Sequence, residues 1–101
     1  MVENRRFRRS PVDIPVEFWE RGSSDRRVGR AKDLSQGGML IETASPHAFS
    51  TEIVIRLPSA QRGGATELGA IVRWNHSSGM GVQFGLLGAR ETHAIAELTK
   101  G

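Results

Sequence analysis

The residues with the most evident chemistry lie in one short polar segment, Asp33-Leu34-Ser35-Gln36-Gly37-Gly38. Asp33, Ser35 and Gly38 bring a carboxylate, a hydroxyl and a bare backbone N–H to one turn, which suits a polar ligand. The same residue types also build ordinary turns, because Asp and Ser side chains bond nearby amides and Gly adopts positive φ without steric cost. On its own this spacing favours a turn with a structural role. Whether the segment binds a ligand depends on residues elsewhere in the chain.

Arginine is concentrated in two stretches. Residues 1–9 contain four arginines and one acidic residue, and residues 21–32 contain five basic residues and one acidic residue. The net charge is +3, and such clusters indicate an anionic partner. A guanidinium group binds phosphate oxygens or the O6 and N7 atoms of guanine through paired hydrogen bonds. For the N-terminal run, a solvated basic tail is the alternative.

The sequence offers little for catalysis. It has no cysteine, and His47, His76 and His93 lie in separate segments without the spacing of metal ligands. Ser35 has no base near it in the sequence, and neither GxxxxGK[ST] nor a GxGxxG before a helix occurs. We therefore expect a binding protein with no catalytic residues, no metal and no cofactor.

Apolar periodicity predicts a mainly β protein. Residues Val12 to Phe18 alternate as in a strand with one buried face, and Pro15 indicates that this strand is an edge strand or pairs on one side there. Five further short strands follow, separated by turn residues, and the segment from about Ala89 to Lys100 has helical spacing. Six strands and a terminal helix are typical of a small antiparallel barrel or sandwich.

The two tryptophans bear on a possible nucleic-acid surface. Trp74 lies on the apolar side of its strand, which fits the core as well as a stacking position at a barrel rim. Trp19 lies on the polar face of the first strand, where we expect an exposed aromatic. Small β-barrels bind single strands through a basic groove and stacked aromatics, so a basic module for a protein partner or single-stranded nucleic acid is one interpretation.

The chain resembles the PilZ domain family over nearly its whole length. Arg5 and Arg9 match the RxxxR motif, and Asp33, Ser35 and Gly38 match the DxSxxG motif that follows a strand pair. The resemblance implies a six-stranded antiparallel β-barrel that binds the bacterial second messenger cyclic di-GMP.

The hairpin at residues 73–84 adds to the resemblance, since it matches the family's tryptophan-containing strand and glycine-bearing partner strand. The resemblance implies that Arg5 and Arg9 clamp phosphate and the guanine Hoogsteen edge, and that Asp33 accepts from the Watson–Crick edge. Ser35 is implied to contact phosphate or guanine, and Gly38 to permit close backbone approach. The full implied site is Arg5, Arg6, Arg9, Asp33, Ser35, Gly37, Gly38, Trp74 and Gly81.

We divide the chain into a flexible arginine-rich arm (1–11), the barrel (12–86) and the helix (87–101), all one PilZ domain. The arm is expected to fold over the barrel mouth when cyclic di-GMP binds, and the change is expected to reach a downstream protein partner. Asn4 stands where some family members carry a further arginine and bind a ligand pair, which favours a single bound molecule here.

No apolar run approaches the ~20 residues that cross a bilayer, so we expect no membrane insertion and a cytoplasmic protein. Nucleic acid is not expected as a partner under the PilZ interpretation. The alternative that stays open is an interaction module that binds a protein or single-stranded nucleic acid without cyclic di-GMP.

Overall fold

The computed structural model describes residues 9–58 and 64–100, which form a closed antiparallel β-barrel followed by a helix. The strands close in the order β1-β2-β3-β6-β5-β4. This confirms the predicted mainly β fold and selects the barrel over the sandwich. The predicted site residues Arg5 and Arg6 lie outside the described residues. The elements are β1 (Ser10–Glu20), β2 (Arg27–Leu34), β3 (Gly38–Glu42), β4 (Glu52–Pro58), β5 (Ala65–His76), β6 (Gly79–Phe84) and α1 (Ala89–Thr99).

The interior of the barrel is filled by apolar side chains that alternate along the strands. Each large side chain removed from water in this way contributes about 1.5–3 kcal/mol to folding. The helix adds Ile95 to the same core and buries Ala94 beside it. The residues with 0% exposure include Phe18, Ala31, Leu34, Ile41, Ile53, Ile55, Leu57, Val72, Met80 and Ile95.

The first strand pairs on both sides over only part of its length. β1 pairs with β2 from Ser10 to Phe18, whereas its pairs with β4 run from Glu17 to Glu20. Pro15 lies opposite Arg30 of β2, outside the span that pairs with β4. Because proline has no N–H to donate, this confirms the prediction of one-sided pairing.

Trp19 differs from the prediction of an exposed aromatic. Its exposed fraction is 8%. The guanidinium carbon of Arg26 lies 3.7 Å from the centroid of the indole ring, where cation and π-face attract each other. The side chain lies on the outward face of β1 as predicted by the alternation, but Arg26 helps to cover it.

Candidate ligand-binding site

The turn between β2 and β3 is held by the hydroxyl of Ser35. Ser35 Oγ accepts hydrogen bonds from the backbone N–H groups of Gly37, at 3.0 Å, and Gly38, at 3.2 Å. The N–H of Ser35 donates to the carbonyl of Gly38 at 3.0 Å, and that of Phe84 donates to the carbonyl of Gly37 at 2.9 Å. The expectation of a bare N–H on this turn is therefore wrong, because Ser35 occupies both glycine amides. What the turn offers a ligand is the proton of a fixed hydroxyl.

Gly38 is required by the packing of β3 on β6. A Cβ atom at this position would overlap the carbonyl oxygen of Val82, a backbone atom that has little freedom to move. The close approach implied for Gly38 is thus made by a neighbouring strand. Ser35 and Gly38 fix the shape of the turn together.

Asp33 lies at the end of β2 and not within the turn where the sequence pattern places it. The pairing of β2 with β3 shifts register between Ala31 and Asp33, so Lys32 is the extra residue and Asp33 pairs with Leu40 directly after the shift. Asp33 Oδ2 accepts from Arg9 Nη1 at 3.2 Å, with the Arg9 side chain 44% and the Asp33 side chain 22% exposed. Asp33 Oδ1 is buried and has no hydrogen-bond partner among residues 9–58 and 64–100. Within the described residues, the ion pair with Arg9 thus engages one carboxylate oxygen of Asp33 and not the other.

A groove of about 410 Å³ runs from this turn across β3 and β6 to β5. Six of the predicted site residues line it, and Asp33 joins them through its ion pair with Arg9. Residues far apart in the sequence are thus brought to one surface. The six are Arg9, Ser35, Gly37, Gly38, Trp74 and Gly81.

Trp74 is exposed in this groove, so the core alternative for it is wrong. The register of β5 on β6 shifts between Val72 and Trp74, which turns Trp74 away from the interior. Trp74 is 42% exposed, and its ring stacks on His76 with centroids 5.2 Å apart and planes 25° from parallel. A Cβ atom at Gly81 would overlap the indole Nε1 and Cε2 atoms. Gly81 therefore makes room for the indole.

Two polar side chains that line the groove were not assigned to the site from the sequence. Arg73 and Gln83 both border the groove, and Arg73 Nε donates to Gln83 Oε1 at 2.7 Å. Both belong to the outward face of their strands by simple alternation, which is the only sequence signal available. Their position beside Trp74 depends on the register shift in β5.

The second basic stretch is neutralised by carboxylates on neighbouring strands. Arg30 lies 2.6 Å and Lys32 lies 3.4 Å from Asp13 Oδ1, and the hydrogen bond from Arg30 holds the pKa of Asp13 below its usual value. The prediction that this stretch marks an anionic partner is therefore weakened. The remaining pairs are Arg21 with Glu52, Arg26 with Glu17 and Arg27 with Asp25.

His47 is buried in the connection between β3 and β4. Its ring meets the ring of Phe18 edge to face, with centroids 5.7 Å apart, and its Nε2 atom is buried with no partner in the described part of the chain. Burial, aided by the nearby charge of Arg27, lowers the pKa of His47.

Residues 9–58 and 64–100 contain no group of three His, Cys, Asp or Glu side chains that could hold a metal ion. Within those ranges, no helix has the length and apolar character needed to span a bilayer.

The sequence matches the family model for the PilZ domain over residues 3–101. The chain belongs to the PilZ domain family. No curated protein matches the sequence. The closed six-stranded barrel of this PilZ domain is the fold that the family resemblance implies.

Three solved structures have folds similar to that of this chain. The PilZ domain of CeSA from a cellulose-synthesizing bacterium has a TM-score of 0.75 and 22% identity, with 91% of this chain and 94% of that chain covered. The Bacillus subtilis inhibitor of motility MotI/DgrA has a TM-score of 0.69 and 20% identity, with 97% of this chain and 50% of that chain covered. The K. pneumonia MrkH–c-di-GMP complex has a TM-score of 0.68 and 16% identity, with 96% of this chain and 50% of that chain covered. This PilZ domain thus spans about half the length of MotI and MrkH, and at these identities the likeness concerns the fold.

Proposed function

We propose that this PilZ domain is a receptor for cyclic di-GMP and performs no catalysis. Family membership supports the ligand class, as does the cyclic di-GMP bound to MrkH. The single observation that carries the proposal is the state of Asp33 beside the groove. Arg9 holds one carboxylate oxygen, and the other is buried without a described partner.

The chemistry of the ligand fits these groups. Each guanine presents N1–H and N2–H donors at its Watson–Crick edge, and a buried carboxylate oxygen without a partner is the acceptor that gains most from such donors. Arg9 uses one of its five N–H groups on Asp33, which leaves donors for phosphate or for the O6 and N7 atoms of guanine. Ser35 Oγ accepts from two backbone amides, so its hydroxyl proton is what it can donate to a ligand. The exposed indole of Trp74 offers a face on which a guanine base stacks.

The resemblance adds Arg5 and Arg6 as further contacts to phosphate and guanine. We propose that the arm carrying them closes over the groove on binding and that one ligand molecule is bound, since Asn4 replaces the additional arginine. We further propose that the protein acts in the cytoplasm.

We propose that a contact between the turn and the helix carries the signal to a downstream protein partner. Gln36 Nε2 donates to the backbone carbonyl of Thr92 in α1 at 3.3 Å. A ligand that moves the Ser35–Gly38 turn would strain or break this bond. We propose that ligand binding in the groove shifts α1 through this contact, and that a protein partner recognises the shifted helix.

The proposal is tested by calorimetric titration of the full chain with cyclic di-GMP. Wild type is expected to bind saturably at one molecule per chain, and Arg9→Ala to lose about 100-fold or more in affinity, because charged hydrogen bonds contribute ~1.5–3 kcal/mol each. Arg56→Ala is the matched control, since this exposed strand arginine pairs with Glu67 at 3.7 Å and does not border the groove. Absence of wild-type binding, or equal binding by the Arg9 variant, contradicts the proposal.

A single-stranded oligonucleotide in the same titration examines the alternative module. Binding that depends on phosphate charge alone weakens steeply as salt rises, whereas base recognition by Asp33 is retained. The ion pairs of residues 21–32 leave little free charge for such a ligand. If the chain binds the oligonucleotide tightly in moderate salt and does not bind cyclic di-GMP, the receptor proposal is contradicted and the nucleic-acid module is favoured.

Closure of the arm is tested separately by limited trypsin digestion. Arg5, Arg6 and Arg8 are trypsin sites in the sequence. If the arm closes, cyclic di-GMP slows cleavage at these three positions, and cyclic di-AMP at the same concentration protects them less. Equal cleavage with and without saturating ligand would remove the arm movement from the proposal.

A further inference from the structure

The bulge in β5 presents two consecutive side chains to the groove. Val72 pairs with Val82 and Trp74 pairs with Gly81, so Arg73 is the extra residue of the bulge. In a regular strand, neighbouring side chains point to opposite faces. Here Arg73 and Trp74 are both exposed and both line the groove. Bulges are frequent beside binding sites because they redirect a side chain in this way.

Arg73 also differs from the other strand cations in its partner. Its contact is the neutral amide oxygen of Gln83, at 2.7 Å to Nε, and no described residue accepts from its Nη atoms. The other basic residues of the six strands are each within 4.0 Å of a carboxylate, namely Arg27, Arg30, Lys32 and Arg56. No described carboxylate therefore balances the charge of Arg73. Its hydrogen bond to Gln83 restricts the guanidinium at the edge of the groove.

Position in the barrel separates this charge from the RxxxR arginines. Arg9 is bound to Asp33 at the end of β2, whereas Arg73 lies on β5, with β3 and β6 between them. Cyclic di-GMP carries two phosphates on opposite sides of its ring. A ligand that lies across β3 and β6 presents one phosphate to each side.

We propose that Arg73, positioned by Gln83, is a ligand-contacting residue that binds the second phosphate of cyclic di-GMP through its Nη groups. This inference rests on the proposed function, since it names a contact within the same groove. Gln83 is a positioning residue that holds Nε and leaves both Nη groups facing the ligand. A neutral partner achieves this without neutralising the charge, which a carboxylate at position 83 would do.

The test compares cyclic di-GMP affinities of the full chain and four variants. Arg73→Ala is expected to bind about 10- to 100-fold more weakly, in line with loss of one or two charged hydrogen bonds. Gln83→Ala is expected to lose only a few-fold. Gln83→Glu is expected to lose more than Gln83→Ala, because the new carboxylate pairs with Arg73 and repels phosphate. Arg56→Ala is expected to bind as wild type, and circular dichroism with urea unfolding verifies that each variant folds.

The salt dependence separates a phosphate contact from a structural role. If Arg73 binds phosphate, Arg73→Ala makes the fall of affinity with salt less steep. An unchanged salt slope overturns the assignment, as does wild-type affinity in Arg73→Ala or a Gln83→Glu variant that binds as well as Gln83→Ala. If wild type itself fails to bind cyclic di-GMP, the proposed function fails; if wild type binds and only these expectations fail, the second phosphate contact alone is lost.

Discussion

Replacing Asp33 by alanine should weaken ligand binding and strengthen the free protein. The Arg9–Asp33 ion pair is lost, but with Arg9 44% exposed it contributes only about 0.2–1 kcal/mol. Removal of the buried Oδ1, which lacks a described partner, relieves a desolvation cost of about 1–3 kcal/mol. The expected net effect is a gain of ~1 kcal/mol in the free energy of unfolding, or roughly 4–8 °C in Tm for a chain of this size.

Ser35→Ala is the matched contrast within the same motif. Its hydroxyl accepts from two backbone amides in a residue that is 6% exposed, so its removal leaves two donors unsatisfied. We expect a loss of about 1–3 kcal/mol in the free energy of unfolding. Both variants should bind cyclic di-GMP more weakly, but their stabilities should move in opposite directions.

The assay is urea unfolding followed by circular dichroism without ligand, with calorimetric titration of cyclic di-GMP and cyclic di-AMP on the same preparations. Asp33→Ala should also lose preference for the guanine nucleotide, because the proposed function makes the carboxylate the acceptor for the Watson–Crick edge. If Asp33→Ala is less stable than wild type by 1 kcal/mol or more, the carboxylate stabilises the free barrel and the reasoning from its unpaired oxygen is refuted. Intact discrimination would make Asp33 a residue of the fold only.

Three further predictions concern the glycines and the buried histidine. Gly81→Ala should displace the indole of Trp74, seen as a shift in tryptophan fluorescence with weaker cyclic di-GMP binding; unchanged fluorescence and affinity would contradict the packing of the ring on Gly81. Gly38→Ala should destabilise the barrel by about 1–3 kcal/mol in urea unfolding, because the new Cβ meets the Val82 carbonyl, and wild-type stability would show that the strands separate easily. Since the folded-state pKa of His47 lies below its ordinary 6.5, the unfolded chain binds the proton more readily, so stability should fall as pH drops below about 6.5 and level off beneath the folded pKa. His47→Phe should flatten that profile, and a profile that persists would assign the effect to another group.

The fold was predictable because its strands obey local rules. Alternation along residues 12–18, the one-sided pairing at Pro15 and the helical spacing after residue 88 each follow from sequence and were confirmed. The choice between barrel and sandwich required the pairing of β1 with β4, which no local pattern contains.

The details of the site depend on contacts between distant strands, and these were beyond local reasoning. Trp74 belongs to the apolar face by alternation, yet one extra residue in β5 turns it outward. Asp33 fits a turn motif, yet it ends a strand, and Trp19 is covered by Arg26 from the following loop. The free charge of Arg73 is visible only once the other strand cations are seen to be paired. Register and ion pairing therefore decide what the motif residues present to a ligand.

An amide NMR titration of the isotopically labelled chain with cyclic di-GMP tests directly whether the groove binds this ligand. We expect the shifts to concentrate in the amides of Ser35, Gly37, Gly38 and Gly81 and in the indole N–H of Trp74, and to saturate at one molecule per chain. Shifts centred instead on the opposite groove around Val28 and Arg56, or no shifts at saturating nucleotide, would contradict it.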